Sequence, residues 1–84
     1  MINLTVRIGG IGNLKRVESK NLALPEGSSL ADFMATLCLH YGEEVRHPAV
    51  LVALNGQAAR EPEWQRIALE NGDVISVVQA FAGG

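Results

Sequence analysis

The chain has 84 residues, of which 48% are hydrophobic and 19% are charged, a balance typical of a globular domain and not of a disordered chain. A chain of this length supports one hydrophobic core, so we expect a single domain. The formal net charge is −2, and the seven Lys and Arg residues are scattered, which argues against a nucleic-acid partner.

The sequence also predicts the cellular compartment of the protein. Cys38 is the single cysteine, which excludes an internal disulfide and favours a reducing environment. No apolar run approaches the roughly 20 residues that a membrane-spanning helix needs. The sequence begins with the strand-like residues Ile2-Asn3-Leu4-Thr5 rather than with a charged and then apolar leader. We therefore expect a cytoplasmic protein with no membrane partner.

The first elements are predicted to form a hairpin. From Ile2 to Ile8, apolar residues occupy the even positions and polar residues the odd ones, the pattern of a half-buried strand. A glycine-rich segment from Gly9 to Asn13 follows and suits a reversal of direction. Residues 15–24 then resume an extended pattern, which predicts a second strand beside the first.

A helix is predicted in the middle of the chain. Pro25 and Gly27 end the second strand, and Ser29 precedes Asp32 by three residues, a variant of the capping box that opens a helix. Apolar residues then recur at helical spacing and form one stripe: Leu30, Phe33, Met34, Leu37, Cys38 and Tyr41. Gly42 is predicted to end the helix, because glycine is favoured at the position just after the last helical turn. Residues 43–48 are expected to form a polar connection.

Three further strands are predicted in the second half. The apolar run Val50–Leu54 predicts a central strand buried on both faces. Asn55-Gly56 predicts a two-residue type I′ turn, after which residues 57–60 would form a short return strand. Residues 61–68 are expected to be irregular, and Asn71-Gly72-Asp73 to turn the chain into a last strand over residues 74–79.

This order of elements favours an α+β fold. We expect a mixed sheet of four to five strands that wraps one main helix in the β-grasp, ubiquitin-like manner, with the first and last strands side by side and parallel. Residues 1–80 would form the domain, and residues 81–84 would form a flexible tail.

Several motifs suggest chemistry, but a structural explanation is favoured for each. Gly10-Ile11-Gly12 lacks the third glycine of a dinucleotide-binding loop, because Lys15 stands there and no helix follows. Cys38 lies on the apolar stripe and is expected to pack as a small hydrophobe. His40 and His47 have no partners at metal-ligand spacing. Surface charge is the favoured role of the remaining carboxylates, Glu43, Glu44, Glu61 and Glu63. Trp64 is interpreted as a cap over the edge of the core rather than a binding anchor.

The last strand offers a candidate docking surface. Ile75, Val77 and Phe81 fall on one face, and Val74, Val78 and Ala80 on the other. If the first set is core, Val74 and Val78 form an exposed apolar strip that could bind a protein, with Phe81 free to dock beyond the sheet. A strand that is buried on both faces is the alternative.

The C-terminal residues Ala82-Gly83-Gly84 add little to a core. Glycine loses much conformational freedom on ordering and has no side chain to pack. The four residues 81–84, when extended, would span roughly 13 Å and end in an unhindered carboxylate, which could enter a narrow active site. A frayed terminus is the alternative.

With these features the sequence resembles the ThiS/MoaD family of sulfur carriers, which are small β-grasp proteins that end in Gly-Gly. The resemblance spans the whole chain in element order and is most specific near the C-terminus, at Asn55-Gly56-Gln57, Arg60, Trp64, Leu69, Gly72-Asp73, Ile75, Val77 and Gly83-Gly84. Arg60-x-x-x-Trp64 resembles the thiamine-type carriers. Two departures are a longer chain than typical thiamine carriers and Gln79-Ala80 in place of the Pro-Pro of many molybdopterin-type carriers.

The resemblance implies a carrier rather than an enzyme, with no catalytic side chain, metal or bound cofactor. A ubiquitin-activating-type adenylyltransferase would use ATP and Mg to adenylate Gly84, and a sulfur nucleophile would convert it to a thiocarboxylate. Gly83 and Ala82 would thread the partner's active site, and Phe81, Val78 and Val74 would dock.

The acceptor of the sulfur would be a biosynthetic synthase, with the thiamine type favoured and the molybdopterin type next. Two alternatives remain open, namely a ubiquitin-like protein modifier that is conjugated through Gly84 and a non-carrier β-grasp interaction domain.

Overall fold

A computed structural model describes residues 1–11 and 16–79 of the chain. The strands are β1 (Ile2–Gly9), β2 (Glu18–Leu24), β3 (Val50–Leu54), β4 (Gln57–Ala58) and β5 (Val74–Gln79), and the one α-helix among these residues is α1 (Leu30–Tyr41). The predictions for Gly12, Asn13 and Lys15, for Ala80 and for the tail residues Phe81, Ala82, Gly83 and Gly84 concern positions outside the described residues.

The strands form one five-stranded mixed sheet in the order β2-β1-β5-β3-β4. β1 and β2 are the expected antiparallel hairpin. β1 and β5, the first and last strands, lie side by side and parallel, with Val6 opposite Ile75 and Ile8 opposite Val77. The expected α+β, β-grasp fold is thereby confirmed, with α1 packed on one face of the sheet.

The core lies between that face and α1. From Ile2 to Ile8 the even-numbered residues of β1 are buried and the odd-numbered ones are exposed or half-buried, as the alternation predicts, and Gly9 at the end of the strand is buried as well. From the helix, four residues of the apolar stripe are buried: Leu30, Phe33, Met34 and Leu37. Ile75 and Val77 of β5 are completely buried against them. The last two residues of the stripe, Cys38 and Tyr41, are only half-buried at its edge.

Both ends of α1 follow the predicted capping. The Asp32 amide donates to Ser29 Oγ at 3.1 Å, and the Ser29 amide donates to Asp32 Oδ2 at 2.9 Å. At the other end, Gly42 has φ 85° and donates its amide to the Cys38 carbonyl at 2.7 Å. The reciprocal pair satisfies two amides that the first turn leaves without helical partners.

The prediction for β3 is wrong in one respect. Of its five residues only Val52 is buried, and the Leu51 side chain is 61% exposed. α1 covers a single face of the sheet, so every second residue of β3 lies on the uncovered face. A run without polar residues does not reveal which face that is.

The connections on either side of β3 are more ordered than expected. Residues Glu43–Arg46 form a 3₁₀ helix in which Val45 is fully buried, and residues Glu61–Arg66 form a second one. The predicted return strand over residues 57–60 is only the two residues of β4. In each case tertiary packing, which local sequence does not encode, sets the outcome.

Candidate functional site

The two ends of β5 are built in different ways, and the first is held by side chains. The Asn55 amide group donates to Asp73 Oδ1 at 3.0 Å, and its oxygen accepts the Val74 amide at 2.9 Å. Asp73 Oδ2 accepts the Glu70 amide at 2.8 Å. The turn after β3 is thereby joined to the first residue of β5.

The same end of β5 is also joined to β1. Asn71 Oδ1 accepts the Asn3 amide at 2.7 Å, and the Gly72 amide donates to the Asn3 carbonyl at 2.8 Å. The Thr5 amide donates to the Asp73 carbonyl at 3.0 Å. The register of β5 against both neighbouring strands is therefore specified at its start.

The Asn55-Gly56 turn has the predicted geometry. Asn55 has φ 50° and Gly56 has φ 87°, the pair of positive values that a type I′ turn requires. Asparagine tolerates this conformation better than most residues do. Asn55 and Gly56, which belong to the family resemblance, therefore support the fold. They lie beside the start of β5, whereas the tail follows its other end.

The other end of β5 is held by close backbone packing. Gln79 is paired with Val50 of β3, and Val78 lies opposite Gly9 of β1. Gly10 has φ 70°, and a Cβ atom built there would overlap the carbonyl oxygen of Gln79. Glycine at position 10 thus permits the closest approach to the last described residue before the proposed tail.

The uncovered face of the sheet carries an apolar strip, which we define as Leu51, Ala53, Val74 and Val78. Val74 and Val78 are half-buried on this face, and Leu51 lies directly opposite Val78 across the β3–β5 ladder. On its other side Val78 has only Gly9, which lacks a side chain. The strip is therefore most open near the end of β5.

Leu51 is a surface residue that sequence reasoning missed. The sequence predicts that β3 is buried on both faces, whereas the Leu51 side chain is 61% exposed. Alternation of apolar and polar residues normally identifies the exposed face of a strand. It could not do so here, because Val50, Leu51 and Val52 are all aliphatic.

Trp64 supports the edge of the core. Its side chain is buried, and Nε1 donates to the Ala59 carbonyl at 3.0 Å. This confirms the interpretation of Trp64 as a cap over the core edge. Leu69 is buried as well, and its amide donates to the Ser28 carbonyl at 2.9 Å. Trp64 and Leu69, two residues of the family pattern, are therefore part of the hydrophobic core.

Titratable side chains do not gather into a reactive site in the part of the chain that is described. His40 and His47 are exposed and make local contacts, to the Thr36 carbonyl and the Ala49 amide. Within residues 1–11 and 16–79, no cluster of three or more His, Cys, Asp or Glu residues could hold a metal. Partial burial raises the pKa of the Cys38 thiol, and a contact with Glu43 raises it further. The higher pKa lowers the fraction of thiolate, which is the reactive form.

No helix in the described part of the chain is long and apolar enough to cross a bilayer.

Comparison with protein families identifies the class of protein. The model of the ThiS family matches residues 11–84, so the chain belongs to this family. Its members, and the related MoaD-type proteins, are small ubiquitin-like sulfur carriers rather than enzymes. No curated protein matches the chain.

Solved structures show the same fold. A complex of subunits 1 and 2 of molybdopterin-converting factor from Helicobacter pylori contains a chain with 24% identity and a TM-score of 0.67, covering 99% of this chain and 100% of that one. SAMP1 from Haloferax volcanii has 15% identity and a TM-score of 0.73, with 98% and 99% coverage.

A thiamine biosynthesis protein (ThiS) from Geobacter metallireducens has 15% identity and a TM-score of 0.58, with 95% and 99% coverage. At these identities the likeness establishes the fold alone.

Proposed function

We propose that this chain carries sulfur as a thiocarboxylate on Gly84. Residues 1–80 are the folded carrier, and residues 81–84 are the tail that enters the active sites of partner proteins. The observation that supports this most directly is the family match, which continues through Gly83-Gly84 to the end of the sequence.

The chemistry requires help from outside the chain. A C-terminal carboxylate has a pKa near 3.5, so it is ionised at neutral pH and is a poor electrophile. An adenylyltransferase of the ubiquitin-activating type joins a carboxylate oxygen of Gly84 to the α-phosphate of ATP, with Mg, and pyrophosphate leaves. A sulfur nucleophile then forms a bond to the acyl carbon, and AMP leaves.

The apolar strip supports the proposal, because it is a surface on which such partners could dock. The apolar strip ends beside Val78, one residue before Gln79, so a protein that contacts the strip lies next to the start of the tail. Val74 is four residues further back along β5, about 13 Å away. We propose that Val78, Leu51 and Phe81 make the principal docking contacts, with Val74 at the margin.

We favour thiamine-type sulfur transfer, with molybdopterin-type transfer next. The family model that matches is ThiS, and Arg60 and Trp64 follow the thiamine-type spacing. The likeness to the chain from the Helicobacter pylori molybdopterin-converting factor complex supports the second pathway. In either case the sulfur acceptor is a biosynthetic synthase.

Intact-mass spectrometry tests the proposal. The chain is incubated with an adenylyltransferase of the ubiquitin-activating type from the same organism, Mg-ATP and a sulfur source. We expect a mass gain equal to the replacement of one oxygen by one sulfur. A chain that lacks Gly84 is the matched control and should show no gain while its thermal unfolding is unchanged, because a terminal glycine has no side chain to pack.

Two outcomes would contradict the proposal. One is an unchanged mass with an enzyme that is shown to be active on another carrier. The other is a lysine-linked conjugate of Gly84 as the sole product in the native host, which would favour a protein modifier.

A further inference from the structure

A cleft lies along the outer edge of β3, on the side of that strand opposite β5. Its volume is about 300 Å³, which is at the lower end of the range for ligand pockets. The walls come from the segment that precedes β3, from β3 itself and from the chain between β4 and Trp64. The proposed function assigns no role to this cleft.

The cleft exists because β4 is too short to cover β3. β4 pairs only with Ala53 and Leu54, and one further backbone bond joins the Ala59 amide to the Val52 carbonyl at 2.8 Å. The chain then leaves the sheet for the 3₁₀ helix that contains Trp64. The first half of β3 is therefore an edge without a neighbouring strand among the described residues.

The outer edge of β3 carries backbone polar groups that do not pair with β4. The Val50 amide donates to the His47 carbonyl at 2.8 Å, and the Val52 carbonyl accepts from Ala59, so both residues direct their backbone groups outward. In an antiparallel ladder the amide and the carbonyl of one residue point to the same side. The Val50 carbonyl and the Val52 amide are thus an acceptor and a donor at the spacing of a β ladder.

Side chains add an apolar floor and a cationic rim. Val45, Val52 and Trp64 are buried beneath the cleft. Arg46, His47 and Arg60 are exposed at its rim, and Glu61 is the one acidic side chain among its lining residues. In a chain of net charge −2, this rim is locally basic and complements an anionic ligand.

We propose that this cleft binds an extended acidic segment of a partner protein, which adds to the outer edge of β3 as a further strand. Main-chain hydrogen bonds to Val50 and Val52 provide the attachment, as in other cases of strand addition. Alternate side chains of the segment lie on the apolar floor, and the others meet Arg46 and Arg60. A rigid small anion would leave the donor and acceptor pair of β3 unused.

The position makes such a contact useful. Val50 lies opposite Gln79 in the β3–β5 ladder, so only β3 would separate the bound segment from Gln79, the last described residue of β5. A partner that holds the chain here leaves the tail free, which allows a second point of attachment alongside the apolar strip.

The test uses the full-length chain and a synthetic peptide, acetyl-Glu-Val-Glu-Val-Glu-amide. Trp64 is the single tryptophan and lines the cleft, so its fluorescence reports binding, and two-dimensional amide NMR spectra of the same sample locate it. We expect saturable fluorescence changes, with the largest amide shifts at Val50, Leu51 and Val52.

Charge and backbone contacts are tested separately. Arg60→Glu should weaken binding by about fivefold, since the loss of one exposed ion pair costs up to about that factor and the new carboxylate also repels the peptide. Arg66→Glu is the matched control, because Arg66 is exposed at the end of the 3₁₀ helix that follows Arg60 but does not line the cleft, and it should have little effect. A peptide N-methylated at alternate amides should bind more weakly even though its charge is the same.

Three outcomes would overturn the proposal. The first is no saturable change at millimolar peptide. The second is equal binding of acetyl-Lys-Val-Lys-Val-Lys-amide, which would remove the argument from charge. The third is amide shifts confined to β2, the opposite edge of the sheet. Because no activating enzyme or ATP is used, none of these results depends on the thiocarboxylate proposal.

Discussion

The two ends of β5 differ in how they are held, although they belong to one strand of six residues. At its start, Asn55, Asn71 and Asp73 make side-chain hydrogen bonds that tie β5 to β1 and β3. At its end the contacts are the backbone ladder and the close approach of Gly10 to Gln79. The comparison indicates that the start of β5 is held by side-chain hydrogen bonds and its end by backbone packing.

The most severe test of this comparison is Gly10→Ala. Alanine at a positive φ costs about 1–2 kcal/mol, and overlap with the Gln79 carbonyl adds about 1–3 kcal/mol. We therefore expect a loss of about 2–5 kcal/mol in the free energy of unfolding, together with slower adenylation of Gly84 per folded molecule.

Gly27→Ala is the matched control for that change. Gly27 has φ 85°, but a Cβ atom there has no heavy atom within 4 Å. It should lose only the conformational part and should be adenylated at the normal rate. Equal losses in the two variants, measured by urea unfolding, would show that the contact with Gln79 is unimportant.

Asn55→Ala should have the next largest effect, and at the opposite end of β5. It removes two hydrogen bonds worth about 1 kcal/mol each, and alanine is disfavoured at φ 50°. We expect a loss of about 2–3 kcal/mol by urea unfolding, with the adenylation rate of the remaining folded protein unchanged.

Asn55→Gly separates the two causes, since glycine accepts the positive φ but cannot make the bonds. Its loss should be about 2 kcal/mol, by the same estimate of two hydrogen bonds. A large fall in adenylation rate in either Asn55 variant would mean that the start of β5 also governs the tail, and the contrast between the two ends would fail.

The smallest effect on stability is expected for Leu51→Gln in the apolar strip. Leu51 is 61% exposed, so the unfolding free energy should change by less than about 0.5 kcal/mol. If partners dock on the strip, the KM of the adenylyltransferase for the carrier should rise severalfold while kcat changes little.

Leu39→Gln serves as the control for Leu51→Gln. Leu39 is also an exposed leucine, at 87%, but it lies on α1 rather than on the uncovered face of the sheet. Its KM should not change. The same rise in KM for both variants would indicate a general loss of exposed apolar area and not a docking surface.

Local sequence patterns predicted most of the fold. The alternation in β1, the capping box at Ser29 and Asp32, and the Asn55-Gly56 turn are decided by residues close together in the chain, and each is confirmed. The bounds of β5 agree with the prediction as well. The 3₁₀ helix with buried Val45 and the burial of Ile11 were missed, because both depend on packing against distant elements.

For the candidate site, the sequence by itself determined the family, the Gly-Gly terminus and the two faces of β5, since these follow from motif spacing and from the two-residue repeat of a strand. Only the tertiary structure decided that Leu51 is exposed, that Gly10 packs on Gln79 and that β4 leaves the edge of β3 uncovered. The physical reason is that each of these depends on which strands become neighbours and on which face the helix covers, and no short stretch of sequence encodes either.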